Sequence, residues 1–128
     1  MAAYLLDTTV IIDVLRGVAA RTALLERLLR AGNTLGCCAI NVAEVYAGMR
    51  PQEAPATDGL LRSLDYYAIT WDIARRAGRL KYEEARRGRA RTLADAIIAT
   101  VALEHELILM TDNIRDFRIS GLRLHPLS

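Results

Sequence analysis

The chain has 128 residues, a net charge of only +2 and an ordinary soluble-domain composition, enough for one domain to bury a core without disulfide staples. No apolar run reaches the roughly 18 residues a membrane span needs. Met1–Asp7 also lacks the basic region and cleavage site of a secretory signal, so a cytoplasmic protein is expected. Cys37 and Cys38 are adjacent, there is no C-x-x-C pair, and His105 and His125 are single and distant. That argues against zinc and leaves an oxygen-bound hard cation as the metal to consider.

Tyr4-Leu-Leu-Asp7 is a short apolar run ending in an acid, which predicts a buried strand with Asp7 at its C-terminal edge. Thr8 and Thr9 open a short helix over 10–16, stopped by Gly17. Asp7 also suits the N-cap of that helix, and Asp13 lies three residues before Arg16, a spacing for an exposed ion pair. Residues 20–31 carry leucines at 24, 25, 28 and 29 between arginines, an amphipathic helix closed by Gly32-Asn33. Residues 34–39 form a second strand candidate. Asn41 then caps a helix over 42–49, with Glu44 three residues after the cap, again an acid just past a strand.

Residues 51–58, with Pro51 and Pro55, predict a polar loop and the least ordered part of the chain, followed by a short helix over 60–64. Residues 66–69 read as a third strand, and Asp72 caps a helix from Ile73 to about Arg86. Between Ala94 and Leu103 only Asp95 and Thr100 are polar, so this helix is apolar nearly all round and largely buried. Thr92-x-x-Asp95 fits a capping box at its start. The polar break His105-Glu106, a strand over 107–111, a polar turn over 112–117 and a proline-bearing edge strand over 122–126 complete the chain. Strands alternating with helices predict an α/β fold over residues 1–128, with a mainly parallel sheet covered on both faces.

Asp7, Glu44, Asp95 and the Asp112/Asp116 pair all fall just beyond strands or at helix starts. Parallel strands would bring them to one edge of the sheet, where open α/β folds gather ligands. One such acid is an ordinary cap; four at equivalent places are harder to explain as caps. Like charges about 4 Å apart cost roughly 4 kcal/mol per pair at an effective dielectric near 20. With no basic residue interleaved, Mg2+ or Mn2+ is the natural compensator, and a metal-activated water can attack a phosphodiester. Between Arg75 and Arg91 lie eight basic residues against Glu83 and Glu84. That stretch is either a solvated helix face or a phosphate-contacting surface, with Arg86, Arg87 and Arg89 the candidates for RNA contact.

Leu5-Leu-Asp7-Thr-Thr-Val10, Asn41-Val-Ala-Glu44-Val-Tyr-Ala-Gly48, Leu93-Ala-Asp95-Ala-Ile-Ile-Ala99 and Leu109-Met-Thr111-Asp-Asn113-Ile-Arg-Asp116-Phe117 occur in that order along nearly the whole chain. Together they resemble a PIN-domain ribonuclease, and Ala77-Gly-Arg-Leu80 with the overall length resembles the VapC-type toxins of prokaryotic toxin–antitoxin pairs. The resemblance implies a PIN-like three-layer fold and a magnesium-dependent endoribonuclease. It assigns Asp7 and Asp95 as principal metal ligands and Glu44 as the acid that orients or activates water. Asp116 fills the later acidic position, Asp112 is an extra acid beside it, and Asn113 sits where some relatives have Asp. Thr9 stands where Asn or Ser is common after Asp-Thr8, and its hydroxyl can still hydrogen-bond the first acid. The resemblance further implies an RNA substrate, a cognate antitoxin covering the acidic pocket, and a homodimer. Apolar residues in 24–29 and 40–49 offer docking surfaces.

Three other readings compete. A PIN-like module could bind metal, RNA or a partner without cleaving RNA. A phosphoacceptor receiver domain needs a lysine near its last strand, whereas the single lysine is Lys81. A haloacid-type phosphatase needs Asp-x-Asp after the first strand, and this chain has Asp7-Thr-Thr.

Overall fold

The computed structural model describes residues 1–127. Strands β1 (Ala3–Leu6), β2 (Thr34–Cys38), β3 (Asp65–Tyr67), β4 (Ile108–Thr111) and β5 (Leu124–Pro126) form one sheet in the order β3-β2-β1-β4-β5. Every neighbouring pair is parallel, with Leu5 opposite Gly36 on one side and Leu109 on the other. Parallel neighbours require crossovers, and helices supply all but the last: α1 (Thr8–Leu15), α2 (Ala19–Arg30), α3 (Ala39–Ala47), α4 (Ala54–Ser63), α5 (Trp71–Arg86) and α6 (Leu93–Glu104), whereas β4 reaches β5 through a 3-10 turn, Ile114–Phe117.

Because side chains alternate along a strand, the sheet builds two cores. Tyr4, Leu6, Leu35, Cys37 and Met110 face one layer with Val10, Ile11, Leu25, Val45 and Leu61. Leu5, Cys38 and Leu109 face the other with Ile73, Ile98, Val101 and Phe117. The result is the expected three-layer α/β arrangement, with β1 central. Gly36 is needed where β3 joins the sheet, because a Cβ there would run into the Tyr67 ring and lie 3.0 Å from the Asp65 carbonyl oxygen. Helix α6 is as buried as its composition demands, with Ala96, Ile98, Ala99, Val101 and Ala102 almost without exposure. His105 packs on the Tyr67 ring and His125 edge-on to Tyr4, so both histidines are packing residues. Cys37 and Cys38 are free buried thiols.

Several local expectations are corrected. The predicted loop over 51–58 is a 3-10 turn, Pro51–Glu53, running into α4, because a proline in a helix's first turn removes an amide that has no partner anyway. Helix α1 begins at Thr8, with Asp7 as its N-cap. Asn41 does not cap α3: the helix starts at Ala39, and the Asn41 side chain reaches back to accept the Cys38 amide at 2.8 Å. Thr70, not Asp72, caps α5 by accepting the Ile73 amide. Asp13 pairs with Arg21 across the α1–α2 turn, not with Arg16. Strand β3 is displaced by one or two residues from 66–69, to Asp65–Tyr67.

Candidate active site

Asp7 leaves the C-terminal end of the central strand, its amide donating to the Met110 carbonyl, and is 7% exposed. Burial would make a bare carboxylate very costly, and both of its oxygens are engaged. Oδ1 accepts the Thr8 amide at 2.8 Å and Oδ2 accepts the Thr111 hydroxyl at 2.7 Å. Thr111 ends β4, the neighbouring strand, so parallel pairing carries this donor to the same edge. The expected Thr9 contact is not formed: Thr9 is exposed, and Thr111 supplies the hydroxyl in its place.

The hydrogen-bond network continues in both directions. The Thr8 hydroxyl donates to Glu44 Oε1 at 2.7 Å and accepts from the fully buried Asn41 side-chain amide at 3.1 Å. On the far side, the Asn113 amide donates to the Thr111 hydroxyl at 2.9 Å, while its side-chain amide donates to Asp116 Oδ2 at 2.6 Å. Asp95 lies in the first turn of α6, whose Thr92 N-cap accepts its amide at 3.0 Å. Asp95 is partly exposed rather than buried, which places its carboxylate at the mouth of the site.

Electrostatics shows which acids share one field. The Asp7 carboxyl is pushed up chiefly by burial, partly relieved by its Thr111 and Thr8 hydrogen bonds, and pushed further by the charges of Glu44 and Asp116. Asp95 is likewise raised by burial first, and then by Asp7, Asp116 and Glu44. Asp112 is exposed, and of the two acids after β4 it is Asp116 whose charge bears on both Asp7 and Asp95. Among the described residues, none of Asp7, Glu44, Asp95 and Asp116 makes an ion pair.

This donor set suits a hard divalent cation. All the donors are oxygens, the charges are uncompensated, and Asp7 is an acid placed where water cannot stabilise it. Among the described residues, no three acids or imidazoles converge into a ready-made cage. An ion such as Mg2+, which keeps several waters and uses one or two carboxylates, fits that looser arrangement.

The basic stretch divides into parts. Arg75 and Arg76 pair with Asp72, Arg76 also with Glu104, and Arg79 sits 3.9 Å from Glu83. Arg89 and Arg91 share the buried Glu84, whose carboxyl falls from 4.5 to about 2 through the Arg89 and then the Arg91 hydrogen bonds. Arg86 and Arg87 are exposed at the end of α5, Arg86 near the face of Tyr82. From the sequence, Thr111 is only part of the fourth acidic segment, and Glu84 and Arg91 only charges counted in the basic stretch; the wiring of all three is new in the structure. The available signal for Thr111 was a polar residue closing an apolar strand, since a buried hydroxyl must find a partner.

Residues 4–120 match the PIN domain family model. The chain is 34% identical over 115 residues to Ribonuclease VapC19 of Mycobacterium tuberculosis, covering 88% of this chain and 90% of that protein. This chain is a PIN-domain protein of the VapC type. Its fold superimposes on VapBC2 from Rickettsia felis bound to a promoter DNA fragment, with a TM-score of 0.87 and 25% identity over 98% of this chain and 99% of that one. A toxin–antitoxin complex from Klebsiella pneumoniae gives 0.81 and 28% identity, with 98% of each chain covered. The PIN-domain resemblance drawn from the four acidic segments, and the VapC-type resemblance drawn from Ala77–Leu80 and the length, therefore extend through the whole three-layer fold.

Proposed function

We propose that this VapC-type protein is a Mg2+-dependent endoribonuclease, acting in the cytoplasm as the toxin of a toxin–antitoxin pair. The observation that carries the reading is the set Asp7, Glu44, Asp95 and Asp116, four carboxylates at one sheet edge with no cationic side chain paired to them. Asp7 and Asp95 would hold the cation, directly or through water, and Mn2+ could stand in for Mg2+. When bound, the ion supplies positive charge that polarises the phosphodiester and acidifies nearby water. Glu44 is held at Oε1 by Thr8, and its other oxygen accepts the proton of the attacking water. Asp116, steadied by Asn113, completes the anionic rim.

Arg86 and Arg87 present free positive charge for the RNA backbone, and Arg89 adds to it from its exposed side, 47% accessible while paired to Glu84. Related structures are of toxin–antitoxin complexes, which supports a cognate antitoxin partner. An apolar groove of about 320 Å3 between α2 and α4, with Leu25, Leu29 and Leu60 in its wall, lies away from the four acids. A homodimer belongs to the same reading. No helix among the described residues is long and apolar enough to cross a membrane.

The test is cleavage of RNA by purified protein with Mg2+ or with EDTA, wild type beside Asp95→Asn. Discrete Mg2+-dependent fragments from the wild type alone are expected. Equal fragments from both proteins would place the chemistry elsewhere. No cleavage by either folded, antitoxin-free protein would favour a non-catalytic metal- or RNA-binding PIN module.

A further inference from the structure

Asp116 does not stand on a long element. It lies in a 3-10 turn, Ile114–Phe117, whose terminal carbonyls have no partners within the turn. Those carbonyls converge on one side chain from another part of the chain. Arg91 Nη1 donates to the Asp116 carbonyl at 2.7 Å and to that of Arg115 at 3.3 Å, and Nη2 donates to that of Arg118 at 2.9 Å. The remaining donors go to Glu84 Oε1, Nε at 3.1 Å and Nη2 at 3.0 Å. All five N–H groups of the guanidinium are therefore spent. The ion pair is closed to water, with the Arg91 and Glu84 side chains 6% and 8% accessible. Gly88, at φ +79°, lets the chain turn back after α5 so that Arg91 reaches this position.

Two features distinguish this from an ordinary buried ion pair. Arg91 grips the backbone of Asp116 and leaves the carboxylate to Asn113 and the site. Glu84, shared with Arg89, offsets part of the guanidinium charge, and Arg91 meets only backbone carbonyls of this segment, so it acts there as a set of donors rather than as a counter-ion on the Asp116 carboxylate.

We propose that Arg91, anchored by Glu84, is the positioning residue that sets Asp116 at the cation site. The proposal rests on the metal-dependent reading above. Lysine keeps the charge but offers three donors from one point, and cannot span Glu84 and three carbonyls.

The test is calorimetric titration of Mn2+ into the antitoxin-free protein, with hydrogen exchange at residues 113–119 as a second readout. Arg91→Lys weakens Mn2+ binding by about tenfold to a hundredfold, the usual range for an outer partner of a ligand, and speeds exchange in that segment. In an Asp116→Asn background the same substitution has no further effect, whereas in an Asp95→Asn background it still adds. Glu84→Gln, which keeps an oxygen for Arg91, shows a smaller loss in the same direction, and takes the place of Arg91→Lys in the cycle if that variant does not fold. Wild-type Mn2+ affinity in folded Arg91→Lys, or a full additional loss on top of Asp116→Asn, overturns the proposal. A wild-type protein that binds no Mn2+ has a different signature: it overturns the cation reading itself, and this role with it.

Discussion

Thr111→Val tests whether the buried Asp7 is held as an anion. The substitution nearly preserves shape at a position with no exposure, but removes the hydroxyl that donates to Asp7 Oδ2 and accepts from the Asn113 amide. A hydrogen bond to a charged group contributes about 1.5–3 kcal/mol, and this bond is the largest influence holding the Asp7 carboxyl down against burial. Without it, the folded-state pKa of Asp7 rises further above its unfolded value. The folded state then binds more protons than the unfolded state over a wider window, so stability falls more steeply as pH rises through it. In EDTA, urea unfolding should show a loss of about 2 kcal/mol near pH 8, a midpoint shift of about 1 M. The loss should be clearly smaller at low pH, where protonation lets Asp7 escape the penalty. Cleavage should fall through weaker metal binding and recover in part at high Mg2+. An equal loss at both pH values would show that Thr111 matters for packing alone and refute the reasoning.

Other perturbations separate the remaining roles. Asp95→Asn should abolish cleavage yet stabilise the metal-free protein by ~0.5–2 kcal/mol in a thermal melt, because it removes a charge that burial and three other acids oppose; a destabilised variant would speak against the crowded-charge account. Reversing Arg86 and Arg87 to Glu should weaken RNA binding and flatten its salt dependence, with a slope change of roughly 0.7 per lost phosphate contact on a single strand; an unchanged slope would return these residues to a solvated helix face. Glu84 has a lowered carboxyl, so it contributes stability above its ordinary 4.5 that is lost as pH falls toward about 2. Glu84→Gln should therefore flatten the acid-unfolding limb over that window, as followed by circular dichroism. Glu84→Ala, which strands Arg91, should cost about 3–5 kcal/mol, and a cost under 1 kcal/mol would mean that water relieves the guanidinium.

The centre of the sheet was legible because β1 and β4 are short apolar runs bounded by turn residues, and parallel order followed from the alternation of strands with helices. The exposed edge strand β3, Asp-Tyr-Tyr, carries no such signal and was placed a residue or two late. Helix α4 was not legible. Pro51 and Pro55 are breakers in the middle of a helix and starters in its first turn, and composition alone cannot tell the two apart. The acids were legible for a similar reason to the strands: Asp7, Glu44 and Asp116 follow strands and Asp95 opens a helix, and parallel topology collects such places. Their wiring was hidden. Thr8 and Thr9 are equivalent on the page, but one is buried against Glu44 and Asn41 while the other faces water, and the hydroxyl on Asp7 Oδ2 comes from 104 residues away. The basic stretch shows the same limit, since its charges could be counted but not their partners. Arg75, Arg76, Arg89 and Arg91 are committed to acids, and free charge remains chiefly at its end, on Arg86 and Arg87.

The direction of that wiring bears on function. Each hydroxyl has one proton to give. Thr111 accepts from the Asn113 amide and so donates to Asp7; Thr8 accepts from Asn41 and donates to Glu44. Asn41 is itself fixed, because its carbonyl oxygen accepts the Cys38 amide and its NH2 must therefore face Thr8. Backbone amides that cannot reverse thus set the whole relay to present donors to carboxylate oxygens. Such an arrangement suits ionised acids, while burial and mutual repulsion push Asp7 and Asp95 toward protonation. A fold that needed only caps at these strand ends has no use for this opposition. A divalent cation would resolve it, turning the repulsion between acids into ligation and giving the fixed donors anions to hold.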